Sequence, residues 1–269
     1  MPLDGTLPGS ALAELPERSF SVYLHVPFCR SRCGYCDFNT YTASELWGMS
    51  TGDYLTAALR EIDLAARVLG DGTPEADTVF VGGGTPTMLP AGELSRLLDA
   101  VRERFGLARD AEITTEANPE TVTPEYLGRL RESGFTRISL GMQSAVPHVL
   151  EVLERAHTPG RGLEAAHWAR QAGFEHVSLD LIFGTPGEST TDWEESLEAV
   201  AAAPVDHVSA YSLIVEQGTR LAMRVRRGEV PMPDDDELAE KYLVTEQHLT
   251  ALGFSNYETS NWARGQAAR

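Results

Sequence analysis

The chain has little cysteine, little basic charge and no long hydrophobic run. Of its 269 residues three are cysteine, and all three lie between positions 29 and 36. An odd set packed this tightly is not a disulfide framework; it points to a metal or cluster loop. Lys and Arg number 22 against 40 Asp and Glu, a formal net charge of −18. A surface that tracks phosphates needs a basic field, so nucleic acid is excluded as a partner class. The acidity itself reads as solubility. No apolar run reaches the ~18 residues of a membrane span, so no transmembrane segment is expected. Residues 1–19 carry acids and prolines but neither the basic nor the apolar region of a signal peptide. They read as a flexible leader, and the default compartment is cytoplasmic.

Apolar residues make up 42% of the chain and charged residues 23%, ordinary for a globular protein long enough to bury one large α/β core. There is no internal repeat and no low-complexity block. Short β-rich runs alternate instead with amphipathic stretches. The expected strands are Phe20–Val26, Asp77–Val81, Ala111–Ala117, Thr136–Leu140, His176–Phe183 and His207–Leu213. The expected helices between them are Glu45–Leu69, Ala91–Phe105, Pro124–Ser133, Gly162–Ala172 and Thr190–Ala202. Such alternation predicts βαβ units, a parallel sheet, and right-handed crossovers that curl it into an open (β/α)6 barrel. Gly134 and Gly173 stand where helix C-caps belong. Beyond the sixth strand Pro231 and Pro233 break the pattern, Asp234–Asp236 can cap a last helix, Glu237–Leu252, and Gly265–Arg269 has no periodicity.

In a parallel barrel chemistry sits at the C-terminal ends of the strands, and the unusual residues cluster there. The first strand runs into Cys29-x-x-x-Cys33-x-Tyr35-Cys36. Three thiolates on one tight loop can ligate three irons of a cubane and leave the fourth open, the mark of a reactive site; structural zinc with His25 as fourth ligand is the alternative. The second strand ends in Gly82-Gly83-Gly84-Thr85-Pro86. Such a turn lets backbone approach a ligand and leaves N–H groups to bind a carboxylate, or is simply a tight turn. Glu116, Gln143 and Asp180 are polar residues in or just after otherwise apolar strands. They are either paired structurally or aimed into a site, because a lone buried carboxylate costs several kcal/mol. His25 shares a strand face with Tyr23. His148, His157, His167, His176, His207 and His248 have no metal spacing and read as surface or core; Trp47, Trp168 and Trp193 read as helix packing, and Trp262 has no assignable role.

With those residues in place, the chain resembles the radical S-adenosylmethionine (SAM) superfamily. The resemblance rests on the Cys29/Cys33/Cys36 motif after the first strand and the aromatic Tyr35 before the last cysteine. It implies an α/β fold, a partial (β/α)6 TIM-like barrel over 20–215 with a short C-terminal helical extension in 216–269. It also implies a [4Fe–4S] cluster on Cys29, Cys33 and Cys36, whose open iron is chelated by SAM and whose electron cleaves SAM to methionine and a 5′-deoxyadenosyl radical. Within the superfamily the chain is similar to the oxygen-independent coproporphyrinogen III oxidase-like branch. Matching that branch implies SAM contacts at Tyr23, Tyr35, Gly83, Gly84, Thr85, Glu116, Gln143, Arg155, Asp180 and Ile214.

The oxidases of that branch carry a fourth cysteine two residues after the third; here Phe38 stands there. Tyr35-Cys36-Asp37-Phe38-Asn39 and Asn256-Tyr257-Glu258-x-Ser260-Asn261-Trp262-Ala263-Arg264 resemble instead the HemW family of haem chaperones. That likeness implies haem trafficking in porphyrin metabolism, haem as a further ligand, haem-accepting apoproteins, and a reduced flavodoxin- or ferredoxin-type electron donor. The alternative is coproporphyrinogen III oxidation, with a porphyrinogen substrate. A His-Asn-x-x-Tyr-Trp motif of that family's C-terminal domain is absent, so 216–269 reads as the start of a truncated region.

Overall fold

A computed structural model describes residues 5–45, 48 and 50–269. Six parallel strands form the body: β1 (Ser21–Val26), β2 (Ala76–Gly83), β3 (Leu107–Ala117), β4 (Arg137–Gln143), β5 (His176–Phe183) and β6 (His207–Ser212). The helices are α1 (Gly9–Glu14), α2 (Thr51–Leu69), α3 (Ala91–Phe105), α4 (Pro124–Ser133), α5 (Pro147–Val152), α6 (Arg161–Gln171), α7 (Thr190–Ala202), α8 (Arg220–Arg226) and α9 (Asp235–Ala251). Two short strands, β7 (Ser255–Glu258) and β8 (Asn261–Ala263), complete a sheet ordered β1-β2-β3-β4-β5-β6-β8-β7. The chain moves one strand outward at each crossover, so the sheet curls into an open barrel with β1 and β7 at its edges.

Period-two alternation builds two different faces on each strand. Val79 and Val81 of β2, Ile138 and Leu140 of β4, and Val177, Leu179 and Leu181 of β5 are buried outward under the helices. The helix α3 answers with Ala91, Leu94, Leu97, Leu98 and Val101, a stripe at helical spacing. Each leucine fully buried there contributes about 1.5–3 kcal/mol. The inward residues of β3 to β6 are largely polar: Thr114 and Glu116, Ser139 and Gln143, Ser178 and Asp180, His207 and Ser209. An ordinary barrel fills its interior with branched apolar side chains; this lumen is left as a cavity.

Local chemistry sets the element ends. The second helix starts at Thr51, later than the expected Glu45, because Ser50 and Asp53 form a capping box, and Glu45 instead closes a turn by accepting from Thr42 at 2.7 Å. Leu46, Trp47 and Met49, within that expected helix, lie outside the described residues. Gly134 caps α4 at φ 108°, and Asp234 caps α9 by accepting from Asp236 and Glu237. Part of the leader forms α1, which buries no residue.

The C-terminal segment departs most from expectation. It is not helical alone: β8 pairs antiparallel with β6, and β7 with β8. Trp262 is fully buried and donates from its indole N–H to Glu246 at 2.6 Å. The last turn, Gln266–Ala268, is also ordered, with Ala268 buried and its carbonyl accepting from Arg137 at 3.1 Å.

Candidate functional site

The cysteine loop leaves β1 at Val26 and is pinned on every side. Cys29 N–H donates to the Tyr41 carbonyl at 3.0 Å and Tyr41 N–H to Pro27 at 2.7 Å. Gly34 N–H donates to Leu153, and the Gly34 carbonyl accepts from Leu221 of α8. All three thiols are free and half-buried. Thr85 Oγ1 reaches Cys29 Sγ at 3.8 Å, and Arg155 Nη1 donates to Cys33 Sγ at 3.4 Å. Burial pushes the Cys29 and Cys36 thiols up, whereas a coordinated metal deprotonates a thiol outright.

Among the described residues no three His, Cys, Asp or Glu converge as a group able to hold a metal ion. His25, the suggested fourth zinc ligand, has both ring nitrogens engaged, Nδ1 with Tyr23 Oη at 3.0 Å and Nε2 with the Asn39 carbonyl at 2.9 Å. Three free cysteines on one loop are the donor type that a cubane cluster takes.

The glycine turn lies directly beneath this loop. A side chain at Gly84 would place Cβ 2.7 Å from the Phe28 carbonyl oxygen and 3.0 Å from Cys29 Sγ, so only glycine fits. The expectation that this turn offers free N–H groups is corrected. Gly83 N–H donates to Glu116 at 2.9 Å, Gly84 N–H to Val26 at 2.8 Å and Thr85 N–H to Phe28 at 2.7 Å. The turn spends its donors on holding β2, β3 and the cysteine loop in register.

The acids follow on the next strands round the lumen, Glu116 on β3 beside the glycine turn and Asp180 on β5. Glu116, at the end of β3, is pushed up to about 7, mainly by burial, with the Asp180 charge adding and the Gly83 hydrogen bond opposing. Asp180 is also pushed up by burial, against hydrogen bonds from Ser139, whose Oγ lies 2.8 Å from both carboxylate oxygens, and from Ser209. Gln143 has φ 68°, an unusual backbone for a non-glycine residue, where the register of β4 against β5 shifts. Arg155 is held by three contacts: Cys33 Sγ, the Gly141 carbonyl at 2.9 Å and His157 Nε2 at 2.9 Å. Burial pushes the Tyr35 phenol up.

Cys29, Cys33, Cys36, Tyr35, Gly83, Gly84, Thr85, Glu116, Gln143, Arg155, Asp180 and Ile214 all line one open cavity of about 1210 Å³. Tyr23 does not line it; 57% exposed, its ring stacks on Phe80, a lining residue. Ile214 sits at the mouth, 65% exposed. Ser178 and Ile182, which strand alternation puts on the face of Asp180, line the cavity with it, while sequence reasoning missed Tyr211, Ser139 and Ser209, for which the same alternation was the available signal. His157 and His207, read as surface or core, line it too, and burial lowers both to about 4.

The sequence pattern of the radical SAM superfamily matches residues 23–200. The chain belongs to the radical SAM superfamily. Membership implies a [4Fe–4S] cluster and SAM. The chain is HemW-like within it: it is 55% identical over 258 residues to the heme chaperone HemW of Mycobacterium tuberculosis (strain H37Rv), covering 96% of this chain and 65% of that one. The heme chaperone HemW of Bacillus subtilis (strain 168) is 35% identical, covering 91% of this chain and 63% of that one. The chain thus spans a little under two thirds of the length of these relatives. Among solved radical SAM structures, coproporphyrinogen III oxidase (HemN) of Escherichia coli superposes with a TM-score of 0.84 at 28% identity, covering 95% of this chain and 58% of that chain. Among the described residues no helix is long and apolar enough to cross a membrane.

Proposed function

We propose that this chain supplies the cluster- and SAM-binding unit of a haem-handling protein of the HemW kind. The observation that carries the reading is convergence: three free cysteines, a side-chain-free glycine turn and the Glu116/Asp180/Arg155 set share one cavity at the C-terminal ends of the strands.

In this reading Cys29, Cys33 and Cys36 would hold a [4Fe–4S] cluster through three thiolates, and the cavity beside them would receive SAM. When bound, the cluster and SAM together supply one-electron reductive cleavage of SAM. The chain's own residues orient the ligand. Gly84 permits close approach to the cysteine loop, Arg155 carries positive charge to its edge, and Glu116, Gln143 and Asp180 offer polar contacts from the ends of β3, β4 and β5. The cationic sulfonium and ammonium of SAM favour the charged form of Glu116, against the burial that raises it. Tyr35 and Ile214 supply packing at the loop and mouth, and Tyr23 acts from the rim through Phe80. A reduced flavodoxin- or ferredoxin-type donor and haem-accepting apoproteins complete the proposal.

The alternative, coproporphyrinogen III oxidation, is favoured by the TM-score of 0.84 to an oxidase. Phe38 in place of that branch's fourth cysteine weighs against it. One anaerobic comparison separates them. With dithionite and SAM, the reconstituted chain is expected to leave coproporphyrinogen III unconverted and to develop a Soret shift on titration with haem. Accumulation of protoporphyrinogen would establish the oxidase instead.

A further inference from the structure

His157 and Arg155 form a unit whose geometry exceeds what SAM binding asks of it. An arginine only donates hydrogen bonds and keeps its charge under all ordinary conditions. Arg155 Nε–H points at His157 Nε2 at 2.9 Å, so that nitrogen must be bare and the imidazole neutral. The imidazole is therefore fixed in one tautomer and works as an acceptor. Its partner contacts stop the guanidinium from swinging: Gly141, whose carbonyl accepts from Nη2 at 2.9 Å, would place a Cβ 2.8 Å from that same nitrogen. What remains is Nη1, which donates to Cys33 Sγ at 3.4 Å, within hydrogen-bonding range of sulfur.

Among the described residues neither neighbouring cysteine accepts from a charged side chain, and Cys36 meets the Phe38 backbone instead. Cys29 receives a long hydroxyl contact from Thr85 at 3.8 Å, a neutral donor. A charged N–H···S bond is stronger than a neutral one, and hydrogen bonds to the sulfurs and net charge nearby set the potential of an iron–sulfur cluster. A fixed cation beside one thiolate stabilises the extra electron of the reduced state.

We propose that His157 is a positioning residue that locks Arg155 against Cys33 Sγ, and that this lock raises the reduction potential of the cluster independently of SAM. The proposal rests on the reading of Cys33 as a cluster ligand.

The test is a potentiometric EPR titration of the anaerobically reconstituted chain without SAM, so that loss of a SAM contact cannot produce the effect. Arg155→Met and His157→Leu are expected to lower the reduced-to-oxidised ratio at a fixed potential by about tenfold, ~59 mV for a one-electron couple. His157→Gln, which keeps an acceptor, is expected to hold the wild-type midpoint. Arg155→Met and His157→Leu variants with full clusters and unshifted midpoints would overturn the inference, as would His157→Gln behaving like His157→Leu. A wild-type chain that loads no cluster would instead overturn the ligand reading. Should the variants fail to load, ¹⁵N NMR of the histidines in the apo chain decides: a bare Nε2 at His157 at neutral pH is required, and a bare Nδ1 or an imidazolium contradicts the lock.

Discussion

Glu116 shows how one residue's setting carries both stability and chemistry. Its carboxyl faces the lumen, accepts one backbone N–H from Gly83 and is pushed up to about 7 by burial. A group whose folded pKa lies above its unfolded value of about 4.5 binds more protons when folded. Its effect is neutral at pH below about 4.5 and becomes increasingly destabilising as pH rises towards 7. His157 and His207, lowered to about 4, act oppositely: they cost stability as pH falls from 6.5 towards 4. The wild-type profile is therefore a sum of opposed slopes, and the single variant isolates one of them. Glu116→Gln is expected to gain stability relative to wild type at pH 7.5 and to lose most of that advantage at pH 5, read from urea midpoints at the two pH values. An advantage that is the same at both would contradict the buried-acid account. At this scale the cysteines were legible because rarity and spacing mark them. The Arg155–His157 contact was not, because two polar residues two apart in a loop carry no periodic signal, and their meeting depends on where β4 and the cysteine loop lie in space.

At the scale of elements, the long amphipathic helices and buried strands follow their sequence patterns. The helix over Ala91–Phe105 and the strand over His176–Phe183 match expectation to the residue, because each has an uninterrupted stripe and a clear stop. The strands β7 and β8 do not announce themselves. They are four and three residues long, and every residue of β7 is exposed. Pairing, β8 to β6 and β7 to β8, not propensity, makes them strands. Their anchor is Trp262, buried between the sheet and α9, where it packs on Tyr242 at 5.8 Å between ring centroids. Trp262→Ala is expected to cost about 3–5 kcal/mol, seen as a lowered urea midpoint; a loss under 1 kcal/mol would mean the C-terminal strands contribute little to the fold.

At the scale of the whole molecule, the alternation of strand and helix was enough to predict an open parallel barrel and to place its chemistry at one end. Less legible was how hollow the barrel is. Polar residues scattered through separate strands become one cavity of about 1210 Å³ only when six strands stand side by side, and no single strand's pattern gives that sum. The cavity joins the cysteine loop to the Glu116/Asp180 wall, as a site shared by a cluster and SAM requires. The most direct test is EPR of the dithionite-reduced, reconstituted chain with and without SAM, with Cys36→Ala as control. The account predicts a [4Fe–4S]⁺ signal that shifts when SAM is added and a variant without that signal. A cluster blind to SAM, or one retained in full by Cys36→Ala, would contradict it.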